Sequence, residues 1–200
     1  MIKVRKTSDK RIRQGDVFRE IEYIEYATEE SGIFVVSKIV FPLVFVLTQD
    51  CDLEQDYLFR WSGEPKETQD KWLLSVMVAP LYNAEHVYVG DHLTELSMKM
   101  QMMTPENKKR LKNNDIPRYH YLEFHAATPI VASVIDFKHY FAVDGRYLRH
   151  YQKQKFVCSI SPLYRECISQ RFASFLSRIG LPETHSSAPV VSANQPITTP

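Results

Sequence analysis

The chain has 200 residues, of which 44% are hydrophobic and 24% charged, and its formal net charge is +1. This composition excludes global disorder, and the balanced charge excludes an overall basic field, so any nucleic-acid site must be a local patch. The longest apolar stretch, residues 39–47, contains Pro42 and is too short for a membrane span. The three cysteines lack C-x-x-C spacing and the first residues lack the apolar core of a secretory signal, so we expect free thiols and a cytoplasmic protein without membrane contact.

The first part of the sequence predicts β-strands. Residues 16–26 alternate imperfectly between apolar and charged side chains, and residues 33–41 are rich in β-branched and aromatic residues. Ser31-Gly32 lies between them and is typical of a turn. Residues 43–47 are continuously apolar, which predicts a central strand that is buried on both faces.

The middle of the sequence predicts a loop, a strand and a helical insertion. Residues 54–71 are polar and are expected to form a surface loop before a strand at residues 72–80. Residues 91–103 have leucine and methionine at helical spacing, and Thr104-Pro105 is typical of the start of a second, short basic helix. The helical insertion therefore covers residues 91–115. Further strands are predicted at residues 119–124, 130–136 and 156–160.

The clearest predicted element is a C-terminal amphipathic helix. Ser161-Pro162 is typical of its start and Gly180 of its end. Apolar side chains at three- and four-residue spacing predict its buried stripe. The stripe consists of Leu163, Cys167, Ile168, Phe172, Phe175, Leu176 and Ile179. Residues 183–200 are rich in Ser, Thr, Ala and Pro, which predicts a disordered tail and leaves residues 1–182 as a single domain.

The most unusual polar segment is Thr48-Gln49-Asp50-Cys51-Asp52, directly after the predicted central strand. One hypothesis is a catalytic site in which Cys51 is the nucleophile, with Asp52 beside it and His120, or alternatively His125, as its base. The alternative is a small buried thiol at a strand end, flanked by side chains that satisfy turn amides. Because neighbouring carboxylates disfavour the thiolate, we expect a partly shielded and poorly reactive thiol.

The two histidines that could act together with Cys51, His120 and His125, give little support for a metal site. In a strand over residues 119–124, His120 and His125 point to opposite faces, so they cannot both serve one site without a bulge. Cys51, Asp52 and one histidine show no metal-ligand spacing. We therefore expect neither a metal nor another cofactor.

A basic run is the second candidate site. It consists of Lys108, Lys109, Arg110 and Lys112, with Arg118 shortly after. Cationic side chains beside an aromatic residue, here Tyr119, are typical of contacts to the phosphates of RNA or DNA. The alternative interpretation is a solvated helix face.

Three short motifs resemble the PemK/MazF-type proteins of prokaryotic toxin–antitoxin systems. Gln14-Gly15-Asp16-Val17-Phe18 is similar to the opening of their first strand, residues 41–48 (FPLVFVLT) to their next strand, and residues 76–81 (VMVAPL) to the one after it. The resemblance implies an α+β fold, namely an SH3-like β-barrel, here with a central helical insertion and closed by the C-terminal helix.

The sequence departs from that family at its RNA-cleaving positions. The family has an arginine before the first proline and a serine or threonine after the second, whereas this chain has Phe41 and, nearest to the second, Tyr82. The resemblance therefore implies a member without the usual ribonuclease residues. The Gln-x-Cys-Asp segment also resembles bacterial and phage-defence-associated proteins to which no activity is assigned.

These observations lead to three functional hypotheses. The first is a binding or accessory component of a prokaryotic conflict system, toxin–antitoxin or antiviral, that contacts nucleic acid or a partner protein from the same operon. The second is a cysteine-dependent hydrolase or transferase centred on Cys51. The third is a divergent metal-independent endoribonuclease that uses Arg118 and His120. A histidine nitrogen close to the Cys51 sulfur would favour the second over the first.

Overall fold

The fold is a mixed α+β arrangement in which a curled antiparallel sheet carries the helices, as seen in a computed structural model that describes residues 1–63 and 67–178. The strands are β1 (Val4–Arg5), β2 (Asp16–Glu30), β3 (Ile33–Val46), β4 (Ser75–Asn83), β5 (Tyr119–Leu122), β6 (Ser133–Asp136), β7 (Phe141–Asp144) and β8 (Phe156–Ile160). The helices are α1 (Asp50–Arg60), α2 (Ala84–Val89), α3 (Pro105–Lys112), α4 (Gly145–Lys155) and α5 (Pro162–Leu176). Short 3₁₀ turns lie at Thr94–Leu96 and Phe137–His139.

The strand order across the sheet is β1-β8-β2-β3-β4-β6-β5, and β7 also pairs with β4. All the strand pairs are antiparallel. The last strand within the described residues, β8, therefore lies between β1 and β2. The N-terminal segment is held in the sheet by the C-terminal part.

A long hairpin of β2 and β3 is the largest feature of the sheet. Glu30 pairs with Ile33, and the two residues between them, Ser31 and Gly32, have φ of 52° and 78°. Two consecutive positive φ values are typical of a type I′ turn, which confirms the predicted turn. The strands predicted at residues 33–41 and 43–47 are one strand, β3, because at Pro42 no strand of the described residues pairs with the outer side of β3.

Three apolar clusters form the core. The first lies between the sheet and α5 and includes Phe137 and Phe172. The second includes Leu53 of α1 and Leu148 of α4, which pack against the buried base of the hairpin. The third lies under α2 and α3, and its buried residues include Leu111.

Several sequence predictions are confirmed. Thr104 accepts a hydrogen bond from the Asn107 backbone N–H, with Pro105 at the first helical position of the short basic helix α3. The strands predicted at residues 119–124, 130–136 and 156–160 are β5, β6 and β8. Burial alternates along β5, whereas all four residues of β6 are buried.

The predicted loop at residues 54–71 is wrong for its first part, since α1 extends from Asp50 to Arg60, but no helix or strand is found among the described residues from 61 to 71. Asp50 and Asp52 lie in its first turn, where carboxylates complement the positive end of the helix dipole. Leu53 is buried in the second apolar cluster. A polar sequence with a single buried anchor therefore forms a helix through tertiary contact, which composition alone does not indicate.

The predicted helix at residues 91–103 is also wrong. The chain forms a 3₁₀ turn at Thr94–Leu96 that ends at Ser97, whose φ is +57°. Beyond it the Met100 and Met103 backbone N–H groups donate to the carbonyls of Gly90 and Tyr88, so the segment doubles back along α2. The apolar side chains still reach the third cluster, which explains the misleading spacing.

The C-terminal helix is confirmed, with a narrower buried stripe than predicted. Ile168 and Phe172 are buried and Phe175 packs against them. By contrast, Leu163 is 75% exposed, and Cys167 and Leu176 are exposed as well. The predicted stripe residue Ile179, the end at Gly180 and the tail at residues 183–200 lie outside the described residues. No helix within the described ranges is both long enough and apolar enough to span a lipid bilayer.

Candidate functional site

Aromatic rings alternate with cationic side chains on the surface formed by α1 and α4. The Arg149 guanidinium lies 4.9 Å from the centre of the Tyr57 ring and 5.8 Å from that of Trp61. The Arg60 guanidinium lies 5.1 Å from the Trp61 ring and 4.9 Å from the Trp72 ring. These are the two tryptophans of the chain, and they are 41% and 39% exposed. We call these five side chains the aromatic–cationic surface.

A groove of about 500 Å³ opens at this surface. Tyr57 and Arg149 line it together with Lys10 and Lys153, both exposed. Among the described residues, Asp9 is the only carboxylate in its lining, and it forms an ion pair with a neighbouring arginine. The groove therefore keeps an excess of positive charge.

Helix α4 supplies most of this charge. The Asp144 side chain accepts hydrogen bonds from the backbone N–H groups of Arg146 and Tyr147, which caps the helix start. The helix carries four cationic side chains and no carboxylate. Its buried face includes Leu148, so the cations lie on the sides and the outer face.

A second candidate site is a cleft between the base of the β2–β3 hairpin and the loop after α2. It has two adjoining parts of about 330 Å³ and 240 Å³. Its walls are mainly apolar and aromatic, and we call it the Tyr82 cleft. The residues that line both parts are Ile39, Phe41, Tyr82, Leu93 and Leu96.

Polar contacts lead from Tyr82 into the sheet. The Tyr82 hydroxyl lies 3.1 Å from Nδ1 of His139, and that nitrogen lies 3.5 Å from Oδ2 of Asp136. The Arg118 Nε donates to both carboxylate oxygens of Asp136, at 2.8 and 3.0 Å. On the other side the His92 ring lies 4.8 Å from the Tyr82 ring, and neither His92 nitrogen has a hydrogen-bond partner within the described residues.

The electrostatics of the cleft favour neutral histidines. Burial lowers the pKa of His92 and of His139, so both imidazoles are neutral at pH 7. Burial, and then the Asp136 carboxylate, raises the pKa of Tyr82, so its hydroxyl keeps its proton. The cleft therefore places a proton acceptor beside a proton donor, as acid–base chemistry requires.

Cys51 is exposed, so the prediction of a partly shielded thiol is wrong. The reason is α1, whose first turn carries Cys51 on its solvent side soon after β3 ends. Its sulfur lies 3.6 Å from Gln49 Oε1 and 3.7 Å from Asp52 Oδ1. No hydrogen bond links the thiol to a histidine in the part of the chain that the structure describes, and no group of three or more potential metal ligands is found there.

His120 is 4% exposed, and its Nδ1 has no hydrogen-bond partner among the described residues. Its ring lies 6.4 Å from that of Phe137, in the region covered by α5. Burial, and then the nearby Arg171 guanidinium, lowers the pKa of His120 to about 4. His120 is therefore a neutral core residue that is separate from the exposed Cys51, whereas His125 is exposed.

Asp50 is the best-connected residue of the unusual polar segment. Its carboxylate accepts hydrogen bonds from Arg11 at 2.8 and 3.1 Å and from the Gln14 backbone N–H at 3.1 Å. Arg165 of α5 and Arg13 also approach it, at 3.4 and 3.9 Å. Burial opposes ionisation, but the Arg11 hydrogen bonds and these guanidinium groups hold the pKa of Asp50 below its ordinary value. Asp50 thus joins the N-terminal segment, α1 and α5.

The predicted basic patch divides into two parts. Lys108 and Lys112 extend over the Tyr88 ring at 5.3 and 5.7 Å, and Lys109 and Arg110 lie exposed on the same helix, α3. Arg118 is instead held by Asp136 next to the Tyr82 cleft. The four α3 cations form a continuous surface, and Arg118 belongs to the cleft.

Sequence reasoning did not find Trp61, Arg149 or His139. A signal existed for the first two, because Trp61 lies within a polar segment that was expected at the surface, and residues 145–155 carry cations without a single carboxylate. No local signal existed for His139, whose partner Tyr82 lies on a different strand. No protein-family model matches this sequence, and none of the curated proteins is significantly similar to it.

Proposed function

We propose that this protein is an SH3-like β-barrel that acts as a binding or accessory component of a prokaryotic conflict system and holds single-stranded nucleic acid. The observation that carries the proposal is the aromatic–cationic surface. Exposed tryptophans are rare on a protein surface without a partner, and here Trp61 and Trp72 lie beside guanidinium groups. This is the combination with which proteins bind unpaired bases and their phosphates.

Stacking and charge have separate roles in this proposal. A base that stacks on an aromatic ring contributes about 1–3 kcal/mol whatever its sequence, so Tyr57 and Trp61 account for affinity without base specificity. Lys10 and Lys153 at the groove rim offer ammonium groups to the phosphates. Since the formal net charge of the chain is only +1, the attraction must come from this local excess.

The test uses the fact that both tryptophans lie in the proposed interface. Titration of the protein with oligouridine or oligothymidine should quench the tryptophan fluorescence in a saturable manner. Binding should weaken steeply as salt rises from about 50 to 200 mM, because released counterions drive phosphate binding. Absence of salt-sensitive quenching with both single strands and with duplexes would overturn the proposal.

Matched variants locate the interface. Lys10→Ser with Lys153→Ser should weaken binding about tenfold and reduce the salt slope by about two. Lys109→Ser with Arg110→Ser removes the same charge from α3 and should change affinity less than about twofold if α3 is a solvated face. The opposite ranking would move the interface to α3.

A second candidate function is the metal-independent endoribonuclease, and the contact between Tyr82 and His139 favours it. In such a reaction the RNA 2′-hydroxyl attacks the adjacent phosphorus, a base accepts its proton, and an acid protonates the departing 5′-oxygen. Neutral His139 or His92 can accept the proton and the protonated Tyr82 can donate one. In this version His120 has no part, because it is buried away from the cleft.

The nuclease test needs RNA and a chelator. Wild-type protein with EDTA should cleave single-stranded RNA to 2′,3′-cyclic phosphate ends and leave a strand with 2′-deoxy sugars intact. His139→Gln should lose at least about 10²-fold in rate, as expected for removal of a general base. His125→Gln, at an exposed position outside both candidate sites, is the matched control and should cleave normally. Equal activity of the two variants would exclude His139 as the base.

A further inference from the structure

The outer part of the β2–β3 hairpin forms an arm that projects from the sheet. Beyond Phe18, β2 has no strand partner other than β3, and before Val44, β3 has no strand partner other than β2, within the described residues. All residues from 23 to 36 are exposed. We call residues 23–39 the arm.

The arm is apolar to a degree that is unusual for an exposed hairpin. Phe34 is 75% exposed and Ile33 is 67% exposed. Large exposed apolar side chains occur along its whole length. They are Tyr23, Ile24, Tyr26, Ile33, Phe34, Val35 and Val36. Exposed apolar side chains on both faces of a hairpin mark an interaction site.

The two edges of the arm differ in their protection. The β2 edge has a bulge between Ile24 and Tyr26 and carries four glutamates between residues 22 and 30. Bulges and charges are the usual means of preventing the addition of another strand. The β3 edge from Ile33 to Val36 has neither, so it is the edge that can accept a strand.

The charge of the arm selects the partner. Residues 20–40 contain five glutamates and one lysine. Lys38 is paired with Glu22 at 2.7 Å, but no ion pair involves Glu29 or Glu30 within the described residues. These carboxylates repel nucleic acid, and they repel the identical arm of a second copy. They attract a basic protein segment.

We propose that the arm is the docking site of a partner protein, which adds an extended segment with alternating apolar and basic side chains to the free edge of β3. The apolar side chains would pack beside Phe34 and Val36. The basic ones would lie on the other face, where they would reach Glu30, which lies directly opposite Ile33 in the hairpin. Main-chain hydrogen bonds supply affinity in this mode of binding, and the side chains supply specificity. The proposal is independent of nucleic-acid binding, since the aromatic–cationic surface has no residue in the arm.

The hairpin geometry indicates which backbone groups are free. Glu30 and Ile33 close a two-residue turn, so they form a hydrogen-bonded pair, and the pairs alternate from there. The N–H groups of Phe34 and Val36 therefore point to the open edge. Val36→Pro removes one outward donor and leaves the bonds between β2 and β3 in place.

The probe is a fluorescein-labelled synthetic decapeptide of alternating valine and lysine, measured by fluorescence anisotropy. Its matched control alternates valine and glutamate. We expect saturable binding of the lysine peptide and none of the glutamate peptide. Val36→Pro should weaken binding at least about tenfold, whereas Val36→Thr, which keeps the N–H, should weaken it by less than about threefold.

Charge variants provide a second test that does not depend on backbone change. Glu29→Lys with Glu30→Lys should weaken binding of the lysine peptide about tenfold or more, and Glu67→Lys, a charge reversal in an exposed loop, should not. Equal binding of both peptides would overturn the proposal, because the arm would then bind apolar peptides without selecting for basic side chains. Concentration-dependent self-association abolished by Val36→Pro would also overturn it, in favour of a second copy of the chain.

Discussion

His120 is a buried residue whose protonation is linked to folding. Its pKa is about 4 in the folded chain and 6.5 ordinarily, so the unfolded chain binds the proton first as the pH falls. The stability that His120 contributes is complete above pH 6.5 and is lost on acidification toward pH 4, by up to about 3 kcal/mol. We expect His120→Phe to flatten this part of the acid unfolding profile, measured by urea denaturation at a series of pH values.

The ionisation of Asp16 changes the stability in the opposite direction over the same range of pH. It is fully buried, and burial raises its pKa from 3.8 to about 6. Its contribution is therefore complete below pH 4 and is lost as the pH rises through 6. With His120 replaced, the protein should become less stable from pH 4 to pH 6, and Asp16→Asn in that background should remove the trend. An unchanged acid profile in His120→Phe would show that other groups control it.

Helix α5 offers a matched pair of substitutions at the scale of an element. Phe172 is buried among Phe137, Tyr140 and the first apolar cluster, so Phe172→Ala should cost about 3–5 kcal/mol of unfolding free energy. Leu163→Ala removes a side chain that is 75% exposed, and it should change stability by less than about 0.5 kcal/mol. Chemical denaturation of both variants measures the difference, and comparable losses would mean that Leu163 is covered as well.

Individual elements show how far the sequence predicts this structure. Signals confined to a few residues succeeded: Ser31-Gly32 marks the hairpin turn and Thr104-Pro105 starts α3. Helix α1 was missed because its stability depends on Leu53, which packs against strands that are distant in sequence. The apolar residues within 91–103 have helical spacing but form no α-helix. Their side chains are spaced in this way because the segment runs back along α2 and packs against it.

The candidate sites were harder to predict than the elements. Tyr82, Asp136 and His139 meet because β4 pairs with β6, and this register follows from the whole sheet. Arg149 and Trp61 meet because α1 and α4 share the second apolar cluster. Each residue alone resembles an ordinary surface or core position, so pairwise geometry was required to identify it.

At the scale of the whole molecule, the arm contributes surface and no core. The three apolar clusters contain no residue between 22 and 40. Replacement of residues 24–38 by Asn-Gly would join Tyr23 to Ile39 through a type I′ turn and keep the Tyr82 cleft. We expect the shortened protein to unfold within about 2 °C of the parent. A calorimetric loss of many degrees would indicate that the arm packs against the body.

The position of β8 in the sheet has a consequence for biosynthesis. A ribosome makes β1 and β2 before β8, yet these two strands do not pair directly, because β8 lies between them in the sheet. Until Phe156–Ile160 has been translated, the nascent chain exposes one edge of β2 and leaves β1 without its strand partner. Such late, long-range closure slows folding and makes chaperone protection valuable. A premature stop codon anywhere before residue 156 should therefore yield a chain that is degraded, even though most of its sheet residues are present.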